Sequence, residues 1–118
     1  MESKESILIS IKKLLGITEE YKQFDPEIII HINSVLTILT QLGVGPAEGF
    51  AIEGEEDEWS DFIQDPNAVQ FNAMKTYVYL RVKLAFDPPL SGTTTASMER
   101  MISELEWRLN ISAETPQE

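Results

Sequence analysis

The sequence predicts an all-α fold: a small single-domain bundle of about four main helices, with a short extra helical turn and an acidic loop. Three observations carry that reading. Apolar residues recur at three- and four-residue spacing in four separate segments, the period of a helix face. Glycine and proline punctuate those segments at their ends. The stretch from Phe71 to Phe86 carries two neighbouring apolar stripes, so it is covered over a wide arc and belongs in the middle of the domain. At 118 residues and 42% hydrophobic content, such a core needs no disulfide staples.

The first helix is read from Ile7, Leu8, Ile11, Leu14 and Leu15, with Lys12 and Lys13 expected on the opposite, polar side. Ser3 is a plausible N-cap, Gly16 a C-terminal stop, and the two lysines in the last turn complement the helix dipole. Residues 17–24 read as a connector. Asp25-Pro26-Glu27 then opens the second helix in the expected order of capping acid, first-turn proline and acid. Its main stripe is Ile28, Ile29, Ile32, Val35, Leu36, Leu39 and Leu42, ending at Gly43. Ile30 and Ile38 fall off that stripe. Burying such a side chain is worth about 1.5–3 kcal/mol, so they are expected either on a second buried side or against another subunit. His31 neighbours this minor face and reads as a bystander.

Residues 43–58 form a loop in which Phe50 and Ile52 alternate and are placed to pin a short extended piece. Trp59, Phe62 and Ile63 make one apolar face of a helical turn. The simple reading anchors the acidic loop to the core, and the alternative is an intersubunit contact. In the central segment, Phe71, Met74, Val78, Val82 and Ala85 form one stripe and Ala73, Tyr77, Leu80 and Leu84 the other. Tyr77-Val78-Tyr79 would also suit a strand, but about twenty residues between Asp65-Pro66 and Asp87-Pro88-Pro89 exceed the usual strand of about five or six. The prolines end the helix, because proline lacks the amide and disfavours helical geometry in the residue before it. After the capping hydroxyls of Ser91 to Thr95, Met98, Ile102, Leu105 and Leu109 form the last stripe, with Trp107 off that line. Residues 110–118 read as a frayed tail.

Composition narrows function mainly by exclusion. The formal net charge is −11, and residues 48–65 hold eight acids and no base. Such a surface repels phosphate backbones and anionic membranes, which disfavours tight nucleic-acid binding. The N-terminus does not read as a secretory signal, and no apolar run approaches the roughly 20 residues needed to cross a bilayer. A soluble, cytoplasmic chain is expected. There is no cysteine and one histidine, no phosphate-binding glycine pattern, and no calcium-loop spacing in Glu55-Glu56-Asp57-Glu58. Catalysis requires convergent groups, and here the carboxylates crowd into one loop. No enzyme activity, catalytic residue, cofactor or metal site is expected. A structural or interaction role follows.

The succession Ile7 to Ile17, then Phe24-Asp25, His31-Ile32-Asn33-Ser34-Val35 and Gln41 to Pro46, resembles the head–tail connector proteins of tailed bacteriophages and their prophages. Trp59-Ser60-Asp61-Phe62, Lys75 to Pro89 and Glu104 to Asn110 look like the same family, and the likeness spans about residues 5–110. The resemblance implies a structural virion protein, a head-completion adaptor that forms a homo-oligomeric ring, usually twelvefold, under the portal protein. The ring extends the DNA channel, lets duplex DNA pass without specific binding, and docks the next tail-joining or stopper protein. It implies a place at the virion head–tail interface, after assembly in the host bacterial cytoplasm from subunits that can be monomeric when free. Apolar residues left over from the core stripes nominate Ile30, Ile38, Trp59, Phe62 and Trp107 for contacts with neighbouring subunits, and the resemblance, which implies a C-terminal segment reaching toward the portal, adds Arg108 beside Trp107 for that contact. Glu53, Glu55, Glu56, Asp57, Glu58 and Asp61 are nominated as a DNA-repelling surface at a ring edge or subunit boundary. The charge and the missing chemistry also suit a different class, a small acidic helical adaptor or inhibitor binding one host protein.

Overall fold

The computed structural model describes residues 5–63 and 68–114. Helices occupy Ile7–Leu15 (α1), Asp25–Gln41 (α2), Trp59–Phe62 (α3), Ala68–Phe86 (α4) and Gly92–Glu114 (α5). Among the described residues the only extended pairing is an isolated antiparallel bridge between Ser6 and Glu58. The all-α expectation holds.

α4 is the central element, packing against α5, α2 and α1. Met74, Tyr77, Val78, Leu80 and Val82 are buried, and Phe71, Ala73 and Leu84 are packed in part against them. Both predicted stripes therefore meet neighbours, with Ala85 at the exposed margin. The predicted start at Asp65-Pro66 lies outside the described residues. The end falls at Phe86, directly before Asp87-Pro88-Pro89.

α1 buries Ile7, Leu8 and Ile11 and closes at Gly16, whose N–H reaches the carbonyls of Lys12 and Lys13. Its cap is Ser6, whose hydroxyl accepts from Ile9 N at 3.2 Å; the predicted Ser3 lies outside the described residues. Lys12 corrects the sequence reading more strongly. It points into the protein rather than along the polar side, with its side chain 1% exposed. Its Nζ donates to the carbonyls of Glu19 (3.1 Å) and Tyr21 (2.8 Å) and pairs with Asp25 Oδ1 at 2.9 Å. A buried ammonium is tolerated only when paired and hydrogen-bonded, and the connector folds over to supply those partners.

That arrangement also corrects the expected cap of α2. Asp25 is its first helical residue, and Phe24 stands at the cap position with no side-chain cap bond. The carboxylate expected to cap the helix pairs with Lys12 instead. Ile28, Ile32, Val35, Leu36 and Leu39 are buried as their spacing predicts, while Ile29 and Leu42 are packed in part. The helix stops in a Schellman turn: Val44 N donates to Leu39 O (2.9 Å) and Gly43 N to Thr40 O (3.0 Å), with Gly43 at φ 91°. Val44 is buried beneath the turn.

α5 begins after Ser91, whose hydroxyl accepts from Thr94 N at 3.3 Å. Ile102 and Leu109 are buried, and Met98 and Leu105 pack in part against the core. The helix does not fray at Asn110 but continues to Glu114. Asn110 itself is tied down, its Nδ2 donating to Leu42 O at 3.1 Å.

Candidate interaction surfaces

Two of the residues nominated for intersubunit contact are interior. Trp59 and Phe62 are each 2% exposed. The Trp59 indole N–H donates to Ser10 Oγ at 2.9 Å, and that hydroxyl donates in turn to Ile7 O at 3.1 Å. Phe62 packs against Phe50 with ring centroids 5.6 Å apart, and Trp59 meets Phe71 edge-on at 6.0 Å. The simple reading fits these contacts: the α3 turn fastens the acidic loop to α1 and α4. The spacing of Trp59 and Phe62 identified an apolar face, but a short turn can offer that face inward or outward.

The acidic loop is accordingly held, not loose. Ile7 N donates to Asp57 O (3.0 Å) and Trp59 N to Glu5 O (3.1 Å), binding the loop to the start of α1. Asn33 on α2 grips the backbone of Ile52 with both side-chain atoms: Nδ2 donates to the Ile52 carbonyl at 3.1 Å and Oδ1 accepts its N–H at 2.7 Å. Ile52 is buried beside this clamp, as its alternation with Phe50 suggested. Four of the nominated acids have local work, Glu58 as a member of the capping box of α3. Asp57 accepts from the amides of Glu53 (2.7 Å) and Gly54 (3.3 Å), Asp61 accepts from Glu58 N (2.9 Å), and Glu55 pairs with Lys22. Glu53 and Glu56 are exposed and make no side-chain bond among the described residues. The negative charge at the surface is therefore carried on a fixed backbone.

α5 presents the clearest free face. Its inner side is registered on α4 by a polar triad: Tyr77 Oη donates to Glu106 Oε2 (2.7 Å), Arg81 Nε donates to Tyr77 Oη (2.7 Å), and Arg81 Nη2 reaches Glu106 Oε2 at 2.5 Å. Burial pushes the Tyr77 hydroxyl up to about 12, and the hydrogen bond to the Glu106 carboxylate adds to that rise. Burial alone would raise Glu106, but the hydrogen bonds from Arg81 and Tyr77 and the arginine charge outweigh it and hold the carboxyl below its ordinary value. With Glu106 directed at α4, the next residue along the helix turns about 100° away. Trp107 is 66% exposed, and Arg108 beside it is also exposed, paired with Glu104 one turn earlier at 3.0 Å.

The minor face of α2 divides. Ile30 is 65% exposed, whereas Ile38 packs in part against the core. His31 sits 3.8 Å from Glu27 and edge-on to Phe86 at a centroid distance of 6.3 Å.

One surface escaped the sequence reading. Where the connector, the start of α2 and the end of α4 converge, Tyr21 meets Phe24 at 5.5 Å and Phe24 meets Phe86 at 5.3 Å, both edge-on. Beside them opens a cleft of about 410 Å³ lined by Leu15, Ile17, Phe24, Glu27, Phe86 and Asp87. The signal available was the number of apolar residues flanking Gly16 and preceding Asp25-Pro26. A connector with Ile17, Tyr21 and Phe24 in it is not a plain polar loop.

The molecule is thus a small all-helical protein that exposes Ile30, Trp107 and several carboxylates on fixed elements. The chain belongs to the phage connector family: the family model described as Phage connector protein matches residues 7–116. The family is a structural one, in agreement with the resemblance read from the sequence. No curated protein and no solved structure matches the chain.

Proposed function

We propose that this protein is a head-completion adaptor that assembles as a homo-oligomeric ring beneath the phage portal, extends the DNA channel and offers a docking surface to the next tail-joining protein. The observation that carries the reading is the family match across nearly the whole chain. The ring is twelvefold in this reading, and its place is the virion head–tail interface after assembly in the bacterial cytoplasm.

The surface chemistry fits that work. A conduit must let duplex DNA slide without gripping it, and neutralisation of phosphates by lysine and arginine is what would hold it. Glu53 and Glu56, exposed on a loop clamped by Asn33 and by the α1 bridge, supply the opposite sign at a fixed place. Ile30, Trp107 and Arg108 are the surface residues left for contacts with neighbouring subunits and the portal.

The test is reconstitution. DNA-filled heads lacking this protein are mixed with the purified chain and then with tails. Conversion of those heads to a tail-accepting state is expected, with a ring visible at the portal vertex by electron microscopy. Heads that accept tails equally well without the polypeptide would refute the role.

A further inference from the structure

We infer that Trp107 and Arg108 of one copy seat in the Phe24/Phe86 cleft of the next, forming the head-to-tail contact of the oligomer. The inference rests on the ring reading above and names the two surfaces that would build it.

The cleft matches that pair in apolar character and charge. Its apolar lining comes from Leu15, Ile17, Phe24 and Phe86, and its acidic members are Glu27 and Asp87. Both carboxylate side chains are more than half exposed, at 58% and 62%. Asp87 already pairs with Lys83 at 2.9 Å, so Glu27, whose nearest base is His31 at 3.8 Å, is the acid that meets an incoming cation at the rim. The occupant this chemistry selects is a large apolar side chain with a positive charge beside it. On this chain Trp107 is the most exposed aromatic, and Arg108 follows it directly with its side chain 64% exposed. Tryptophan and arginine are the residues most enriched among interface anchors. A guanidinium beside Glu27 at the rim of an apolar cleft is better shielded from water than at its present partner, an exposed glutamate one turn away on its own helix.

The positions of the two surfaces require separate copies. The cleft lies at the start of α2, beside Phe24. The Trp107 end of α5 is fastened at the other end of α2, where Asn110 bonds Leu42. The 17 residues of α2 separate these ends by about 25 Å. A knob and a hole at opposite ends of one molecule cannot satisfy each other internally. Repeated from copy to copy, they generate a heterologous contact, which closes into a ring when the rotation permits. The Tyr77–Arg81–Glu106 triad gives the knob its fixed direction, and the Lys12 cluster fixes one wall of the hole, because the connector carrying Ile17 and Phe24 is the segment folded over that lysine.

Cysteine cross-linking tests the contact directly, since the chain has no cysteine of its own. The Glu27→Cys/Arg108→Cys double variant, assembled on heads lacking the protein and then oxidised, is expected to give a ladder of covalent oligomers beyond the dimer. Either single variant is expected to give none. Trp107→Ala is expected to lower tail acceptance at least about tenfold at limiting protein while the melting temperature stays unchanged. Arg108→Glu is expected to impair assembly, and Glu27→Lys to restore it in the same chain. A wild-type protein that completes heads, with no ladder and full activity of Trp107→Ala, overturns this contact and leaves the connector role standing. Loss of tail acceptance in Trp107→Ala without ladder or charge rescue also overturns it, because the tryptophan then meets the portal or the next tail protein. Failure of the wild type to complete heads overturns both readings.

Discussion

Lys12 on α1 and Asp25 at the start of α2 meet at 2.9 Å inside the protein, the lysine side chain 1% and the aspartate 14% exposed. Two carbonyls of the intervening connector complete the coordination of the ammonium. One side chain thereby sets the path of residues 17–24, and with it the aromatic cleft at that end of the molecule.

Lys12→Ala should be among the most damaging single substitutions. It leaves the Asp25 carboxylate without its ion-pair partner and the carbonyls of Glu19 and Tyr21 without their donor, and removing one partner of a buried pair costs about 3–5 kcal/mol. Urea unfolding followed by circular dichroism measures this. An unchanged midpoint would show that the lysine does not organise the connector.

Trp59 separates packing from hydrogen bonding. Trp59→Ala should cost about 3–5 kcal/mol by opening a cavity beside Phe71. Trp59→Phe keeps most of the aromatic volume but loses the indole donor to Ser10, so its cost should approach the roughly 0.5–1.5 kcal/mol of one net hydrogen bond. Both values come from the same denaturation series, and a Trp59→Phe variant as stable as the wild type would refute the contribution of the bond to Ser10.

Gly45 allows a sharper test of the loop. Its φ is 85°, and a Cβ placed there would come within 2.5 Å of the Phe62 ring. Gly45→Ala must therefore accept a left-handed backbone and also displace a buried aromatic that holds the acidic loop. A loss of about 2 kcal/mol or more is expected, combining the strain of the backbone with an overpacked core. Gly49 also has positive φ but no neighbour within 4 Å, so Gly49→Ala should cost less. Thermal melts of the two variants side by side decide the comparison.

The triad on α5 predicts a pH dependence. Glu106 has its carboxyl lowered from 4.5 in the folded protein, so between the folded and unfolded values the unfolded chain binds more protons and stability rises with pH. Its contribution is full above about 4.5 and fades as the pH falls through the folded value. Tyr77 acts at the other limit: its hydroxyl is raised from 10.0 to about 12, so its contribution is full below 10 and is lost as the pH climbs toward 12. Glu106→Gln should flatten the acid limb of stability against pH and weaken the alkaline limb. Tyr77→Phe should abolish the tyrosine's part of the alkaline limb. Urea midpoints collected from pH 3 to 11 would reveal either failure.

Much of this architecture is legible in the residues. The four main helices follow from periodicity and from stops such as Gly16, Gly43 and Asp87-Pro88-Pro89, because these are local preferences that act within a turn or two of chain. The double stripe of α4 announced its central place, since only an element surrounded on several sides needs apolar residues over so wide an arc. Position off the core stripes did not decide exposure: Trp107 and Ile30 are exposed, whereas Ile38, equally off the stripe, packs in part against the core.

What tertiary structure decided are the pairings between distant residues. Lys12 has a hydrocarbon stem that suits the interior and a charge that suits water, so its position on the helix wheel leaves its direction undetermined until Asp25 and the connector carbonyls arrive. Trp59 turned inward because Ser10, 49 residues earlier, offered an acceptor for its indole. Phe24 and Phe86 became one surface only when α2 and α4 packed together. Periodicity records which residues share a side of one helix. It carries no information about which side of another helix will be waiting there.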